Sequence, residues 1–360
     1  MDIELQEYPL GLRLICAMLI GSLSIFFTEV FAGLSVIWYI DLWALYFLFL
    51  LYLGHLLFFL FLAIKTKRTS VPQLYLWGVL FSLYEAWITK VYWAGYPGSE
   101  GPGLGTFLGI AFYEFFMMVF IWHPIFAFVL PILVFESLAL SKNSGDDLVQ
   151  IIFPSHLPSL MKNRKNLSIL LLIMLIGAGF STANNGYKII FAIFSILGSI
   201  GVIFLLYFII GKKNPSNFSI HSIQLGKIEF CLVAIYVVSL NAILFVFLFP
   251  EKIPVSIWPI VIIIFFYVFI GLMLRLSKPV DEKEWNKPEI QENVILSKDI
   301  FILFGILFLL TIIFCLMPLV GLVITFILVI GLFFMALFFF ITMLRKALKG
   351  GSFLKKINIL

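Results

Sequence analysis

Apolar residues run through this chain in long, almost unbroken stretches, and the polar residues between them gather in short clusters. A helix of about 17–25 apolar residues is long enough to cross a hydrocarbon layer ~30 Å thick. By that measure the pattern predicts spans at 12–34, 42–64, 71–94, 167–183, 189–211, 228–249, 255–276, 300–317 and 319–344. A Gly/Pro-rich loop, GYPGSEGPGLG, occupies 95–105, and a further apolar stretch fills 106–140. That stretch is too long for one simple span and barely long enough for two.

Charge decides between them. If 106–140 crosses once, then 1–13, 65–70, 141–166, 212–227, 275–299 and 345–360 share one side and hold 21 of the 24 Lys and Arg residues; only Lys90, Lys188 and Lys252 fall elsewhere. If it crosses twice, 17 of those 21, the ones after position 140, move to the opposite side, against the positive-inside bias. The expectation is an all-α, polytopic transmembrane helical bundle with about ten crossings, both termini cytoplasmic, in the cell membrane. Within 106–140, Pro124 and Pro131 each remove a backbone donor and crowd the carbonyl one turn earlier. Freed carbonyls in lipid need protein or water partners, so a kinked or interrupted helix facing the protein interior is predicted. Such helices line substrate sites in transporters.

Composition sharpens the class. The chain is 62% hydrophobic and 12% charged, with a mean hydropathy of +1.13. Soluble chains run near ~45–50% apolar and ~25% charged, so here the bilayer is the solvent for most of the surface. The net charge of +5 comes from loop lysines and arginines, which excludes a nucleic-acid partner. Cys16, Cys231 and Cys315 lie in apolar segments without CxxC spacing, as buried, inert thiols do. The acidic N-terminus and the lack of a small-residue cleavage site point to a retained first span. No P-loop, HExxH or GxSxG motif occurs. Neither a metal nor a cofactor is expected.

The candidate chemistry sits in the first 140 residues. Six ionisable side chains lie in or at the edge of apolar segments there: Glu29, Asp41, Glu85, Lys90, Glu114 and Glu136. A charge within a bilayer costs a few kcal/mol or more. The asymmetry suggests three parts: a bundle at 1–140 carrying the intramembrane charges, a cytoplasmic polar linker at 141–166, and a bundle of three helical hairpins at 167–360. The linker holds Asp146 and Asp147, and its middle, LVQIIFPSHL, reads as a segment lying on the membrane surface.

Counting residues from the loop at 95–105 places Glu85 and Glu114 at a common depth of about 14–15 Å. Two carboxyls that meet in low dielectric would share a proton, making a proton carrier or a cation site. The same count puts Glu29 and Lys90 together at about 7–8 Å as a candidate ion pair. His55 and His123 are candidate proton relays but have no metal-ligand spacing. Trp93 and Tyr96 read as an interfacial belt, while Tyr84 and Trp87 lie deeper, where they would line a pocket.

The binding residues expected are therefore Glu85, Glu114, His123, Glu29 and Lys90. The favoured reading is a secondary transporter or permease component taking a small molecule or ion, with a proton- or cation-linked carboxylate pair. An intramembrane enzyme acting on a lipid-linked substrate is the alternative, with Glu85 or Glu114 as acid or base. A structural subunit whose charges pair with a membrane-protein partner is the third.

Overall fold

Nine of the described helices are long and apolar enough to cross a membrane. The structure, a computed structural model, describes residues 8–96, 98–142, 151–213, 218–282 and 293–349. The polytopic all-α expectation holds. The nine spanning helices are α1 (Leu10–Val30), α2 (Ala44–Lys65), α6 (Phe112–Leu140), α8 (Arg164–Asn184), α9 (Ile189–Lys212), α10 (Lys227–Phe247), α11 (Trp258–Leu276), α12 (Ser297–Leu316) and α13 (Pro318–Leu348). The span expected at 71–94 is instead broken into α3 (Val71–Ser82), α4 (Tyr84–Trp87) and α5 (Val91–Ala94). One more short helix, α7 (Leu157–Leu160), follows a 3₁₀ turn at Pro154–His156.

The stretch 106–140 becomes one helix that starts late. Its first residues form a hairpin of β1 (Thr106–Phe107) and β2 (Ile110–Ala111), which pair antiparallel. Leu108 and Gly109 turn it with positive φ at both positions, the geometry of a type I′ turn. From Phe112 the helix α6 runs unbroken, but Met118–Val129 winds in the wider π form around Pro124. A π turn accommodates a residue that cannot donate in register. Over the most apolar window of α6, 83% is buried, against 11% in α10 and in α13. The interior-facing helix predicted from the two prolines is α6.

Packing divides the chain into two compact units, each made of three stretches. The first holds Met1–Leu53, Pro131–Gln224 and Glu282–Leu322; the second holds Gly54–Leu130, Leu225–Asp281 and Val323–Leu360. This is a different division from the one drawn on charge at 140 and 166.

In the first unit α1 packs on α9 and α8 on α12. Gly177 on α8 lies beneath the Phe31 ring, where a Cβ would stand 2.5 Å from it. The turn after α1 is pinned to α9 by Trp38 Nε1, which donates to Ser199 Oγ at 2.9 Å, and by the Tyr39 hydroxyl, which donates to the Phe194 carbonyl at 2.8 Å. The segment from Ile151 to Leu157 packs inward rather than lying exposed on a surface. Ile151, Ile152, Phe153, His156, Leu157 and Leu160 are buried. The Ile295 amide donates to the Leu160 carbonyl at 2.8 Å, and Lys162 pairs with Asp299 at 2.6 Å. Its apolar residues find protein rather than headgroups. Asp146 and Asp147 fall outside the described residues.

In the second unit α3 lies along the π-wound part of α6. Gly78 makes that approach close: a Cβ there would stand 2.7 Å from the Pro124 α-carbon. Ser70 and Gln73 form a capping box that starts α3. Gln73 Nε2 also donates to Ser277 Oγ and the Lys278 carbonyl, and the Arg68 guanidinium donates to the carbonyls of Leu274 and Arg275. The start of α3 thereby satisfies the last carbonyls of α11, which a helix end otherwise leaves open.

Candidate functional site

The break in α3–α5 turns Tyr84 and Glu85 into the interior of the second unit. Where α3 stops, side chains take over the carbonyls. The Ser82 hydroxyl donates to the Val79 carbonyl at 2.6 Å, and the buried Tyr92 hydroxyl donates to the Ser82 carbonyl at 2.7 Å. Lys90 adopts a left-handed conformation, φ +59°, between α4 and α5. It lies fully buried and points its ammonium at the carbonyls of Ile88, Leu244 and Leu248. The last two belong to the end of α10, where a cation meets the negative end of the helix dipole.

Glu85 meets His123, which the π turn of α6 presents. His123 Nε2 lies 3.3 Å from Glu85 Oε1 and 3.0 Å from the Tyr84 hydroxyl. The Thr89 hydroxyl donates to Glu85 Oε2. Glu85, His123 and Tyr84 are all buried. Beside them, the His55 ring stacks on Phe81 at 5.4 Å and lies 5.0 Å from the Tyr84 ring. His55 Nε2 is 3.1 Å from the amide nitrogen of Asn241, which also donates to the Val237 carbonyl at 2.8 Å. That carbonyl can only accept, so the NH₂ face of Asn241 is fixed, and His55 Nε2 is the acceptor. His55, Trp87, Asn241 and Tyr267 border a groove of about 360 Å³ with otherwise apolar and aromatic walls.

Glu114 does not pair with Glu85: among the described residues no hydrogen bond or ion pair joins them. The depth count assumed continuous helix on both sides of the loop. The hairpin at 106–111 absorbs the residues meant to carry Glu114 inward, so Glu114 stands in the first turn of α6. Its Oε1 accepts from the Gly103 amide at 2.8 Å, tying the Gly/Pro loop to the helix start.

The proposed Glu29–Lys90 pair is also replaced, because Lys90 directs its ammonium to the three carbonyls above. In the first unit Glu29 accepts from the Tyr52 hydroxyl at 2.5 Å and from Ser35 at 3.2 Å. Asp41 accepts from the Trp43 amide at 3.1 Å, a turn-and-cap role near the start of α2. Glu136, near the end of α6, accepts from the Phe153 amide at 2.9 Å and meets His156 Nδ1 at 2.7 Å, with both side chains fully buried. Sequence reasoning passed over His156, whose only signal is an imidazole amid the apolar residues of LVQIIFPSHL. Among the described residues no cluster of three metal-ligating side chains occurs.

The profile of a family described as an uncharacterized membrane protein family matches residues 18–349, and the chain belongs to that family. A protein of Archaeoglobus fulgidus, named only as uncharacterized, is 40% identical over 131 residues, which is 35% of this chain and 39% of the relative. The match thus spans about two fifths of that relative's length. No solved structure matches.

Proposed function

We propose that this member of the family is a proton-linked secondary transporter or permease component. Its proton site is Glu85, His123 and Tyr84 in the second unit. One observation carries the reading: a buried carboxylate–imidazole–phenol cluster is built where two helices depart from regular geometry, α3 by breaking and α6 by π winding. Irregular backbone at membrane depth is tolerated where it lines a site, and buried ionisable groups there mark ion or proton paths. A carboxylate in contact with an imidazole takes up or releases a proton while its neighbour offsets the change in charge.

The subunit reading is less favoured. Lys90, Glu85 and Glu136 are each answered inside their own unit, so they are not charges awaiting a partner's helix. We place the basic loops and both termini on the cytoplasmic side of the cell membrane, on the charge count alone. The test is reconstitution of the full chain in vesicles holding a pH-sensitive dye. Solute-dependent proton movement in the wild type, absent in Glu85→Gln and His123→Gln variants that still insert, supports the proposal. Equal movement in wild type and both variants overturns it.

A further inference from the structure

The groove in the second unit lies among α2, α3, α4, α10 and α11 and holds about 360 Å³, within the usual range of small-molecule sites. None of the described residues that line it is charged, and Phe58, Phe81, Trp87 and Phe245 make its walls aromatic. Val238 and Ala242, which also line it, are exposed on α10, the helix whose most apolar window is 11% buried. The mouth therefore opens toward lipid, and a ligand enters from the bilayer. One polar group inside is open. Tyr267 stands midway along α11, and the Trp87 indole N–H donates to its hydroxyl oxygen at 3.3 Å. An indole nitrogen can only donate, so the Tyr267 proton must go elsewhere, and no acceptor for it occurs among the described residues. The polar atoms of the opposite wall are taken or closed: His55 Nε2 accepts from Asn241, and Asn241 Oδ1 is buried. At mid-membrane depth no water stands ready to answer the hydroxyl.

We propose that this groove binds a neutral, lipophilic molecule carrying a carbonyl oxygen, which accepts the Tyr267 proton while the apolar body lies against the aromatic walls. Lipid tails are as apolar as the groove, so apolar contact alone selects nothing from the bilayer. A hydrogen bond made where lipid tails offer none does select. An ionised ligand is disfavoured, because the walls supply no opposite charge. A plain hydrocarbon leaves the hydroxyl unanswered. His55 and Phe81 are wall residues that also touch the proposed proton cluster, since the His55 ring lies 5.0 Å from Tyr84 and the Phe81 ring 6.2 Å from His123. Binding in the groove nevertheless does not depend on proton transport.

The test is photolabelling of the full chain in lipid nanodiscs with an octyl-substituted benzophenone, a neutral photoreactive ketone, followed by peptide mapping. Saturable labelling of peptides that hold Phe58, Phe245 or Tyr267 is expected. Methyl nonyl ketone should compete for it about fivefold better than undecane, which has the same carbon count and no oxygen. Tyr267→Phe, which removes only the hydroxyl, should weaken labelling about fivefold. Ala242→Phe, at the lipid-facing mouth, should block it, and Glu85→Gln should keep it. The absence of saturable labelling at these peptides in the wild type overturns the proposal. So does labelling that Tyr267→Phe leaves unchanged, or that undecane and the ketone displace equally. If Tyr267→Phe does not insert, the competition and Ala242→Phe decide. Labelling kept in Glu85→Gln, with proton movement there equal to wild type, removes the transport reading and leaves the groove in place.

Discussion

The Tyr75 hydroxyl donates to the carbonyl of Phe120 at 2.7 Å, and Phe120 is the residue four before Pro124. In a regular α-helix a proline at 124 withholds its donor from that carbonyl, whereas in the π winding of Met118–Val129 the withheld donor belongs to the carbonyl five residues back, that of Val119. Tyr75 is fully buried on α3, so its hydroxyl ties α3 to the irregular part of α6 one turn before the proline. The bond gives a buried carbonyl of this irregular stretch a protein donor, as backbone at membrane depth requires.

Tyr75→Phe should therefore destabilise the protein by about 1 kcal/mol, since it removes only the hydroxyl. The cost should change in a Pro124→Ala background, where α6 is free to return to regular winding and to move the Phe120 carbonyl. A double-mutant cycle of unfolding in mixed micelles measures the coupling; purely additive effects would mean that the bond is independent of the proline.

Gly78→Ala should cost about 1–3 kcal/mol, because the new methyl meets the Pro124 backbone rather than a movable side chain. Gly271→Ala on α11 meets nothing within 4 Å and should be neutral or slightly stabilising. Equal effects at the two positions would remove the close α3–α6 approach from the account.

Glu136→Ala should cost about 3–5 kcal/mol, as expected when one member of a buried pair is removed. Amide exchange at Phe153 should quicken, because its N–H loses its acceptor. The double variant Glu136→Met, His156→Leu should recover part of the loss. Unchanged exchange at Phe153 would show that Glu136 does not hold this segment.

The charge count leads to a labelling result. With Cys16, Cys231 and Cys315 replaced, single cysteines at Ser99 and Ser144 should react with an impermeant thiol reagent from opposite faces of a sealed vesicle. Reaction from one face would overturn the single crossing of 106–140.

Hydropathy along the chain was enough to determine that this is a helical membrane protein and where nine of its helices run, because apolar length against bilayer thickness is a property of local sequence. It also marked α6 as the interior helix, since Pro124 and Pro131 in lipid demand protein partners whatever the fold. Pairing was another matter. Glu85 and Glu114 looked equivalent by counting from 95–105, but a six-residue hairpin and the break after Ser82 changed the rise per residue on both sides. A linear count cannot register such departures from helix. His123 reached Glu85 through a π turn that rotates it relative to a regular helix, and His156 reached Glu136 across 20 residues of chain. A residue's type and depth can be read in one dimension. Which buried charge finds which partner depends on helix rotation and on chain breaks, and only tertiary packing sets these.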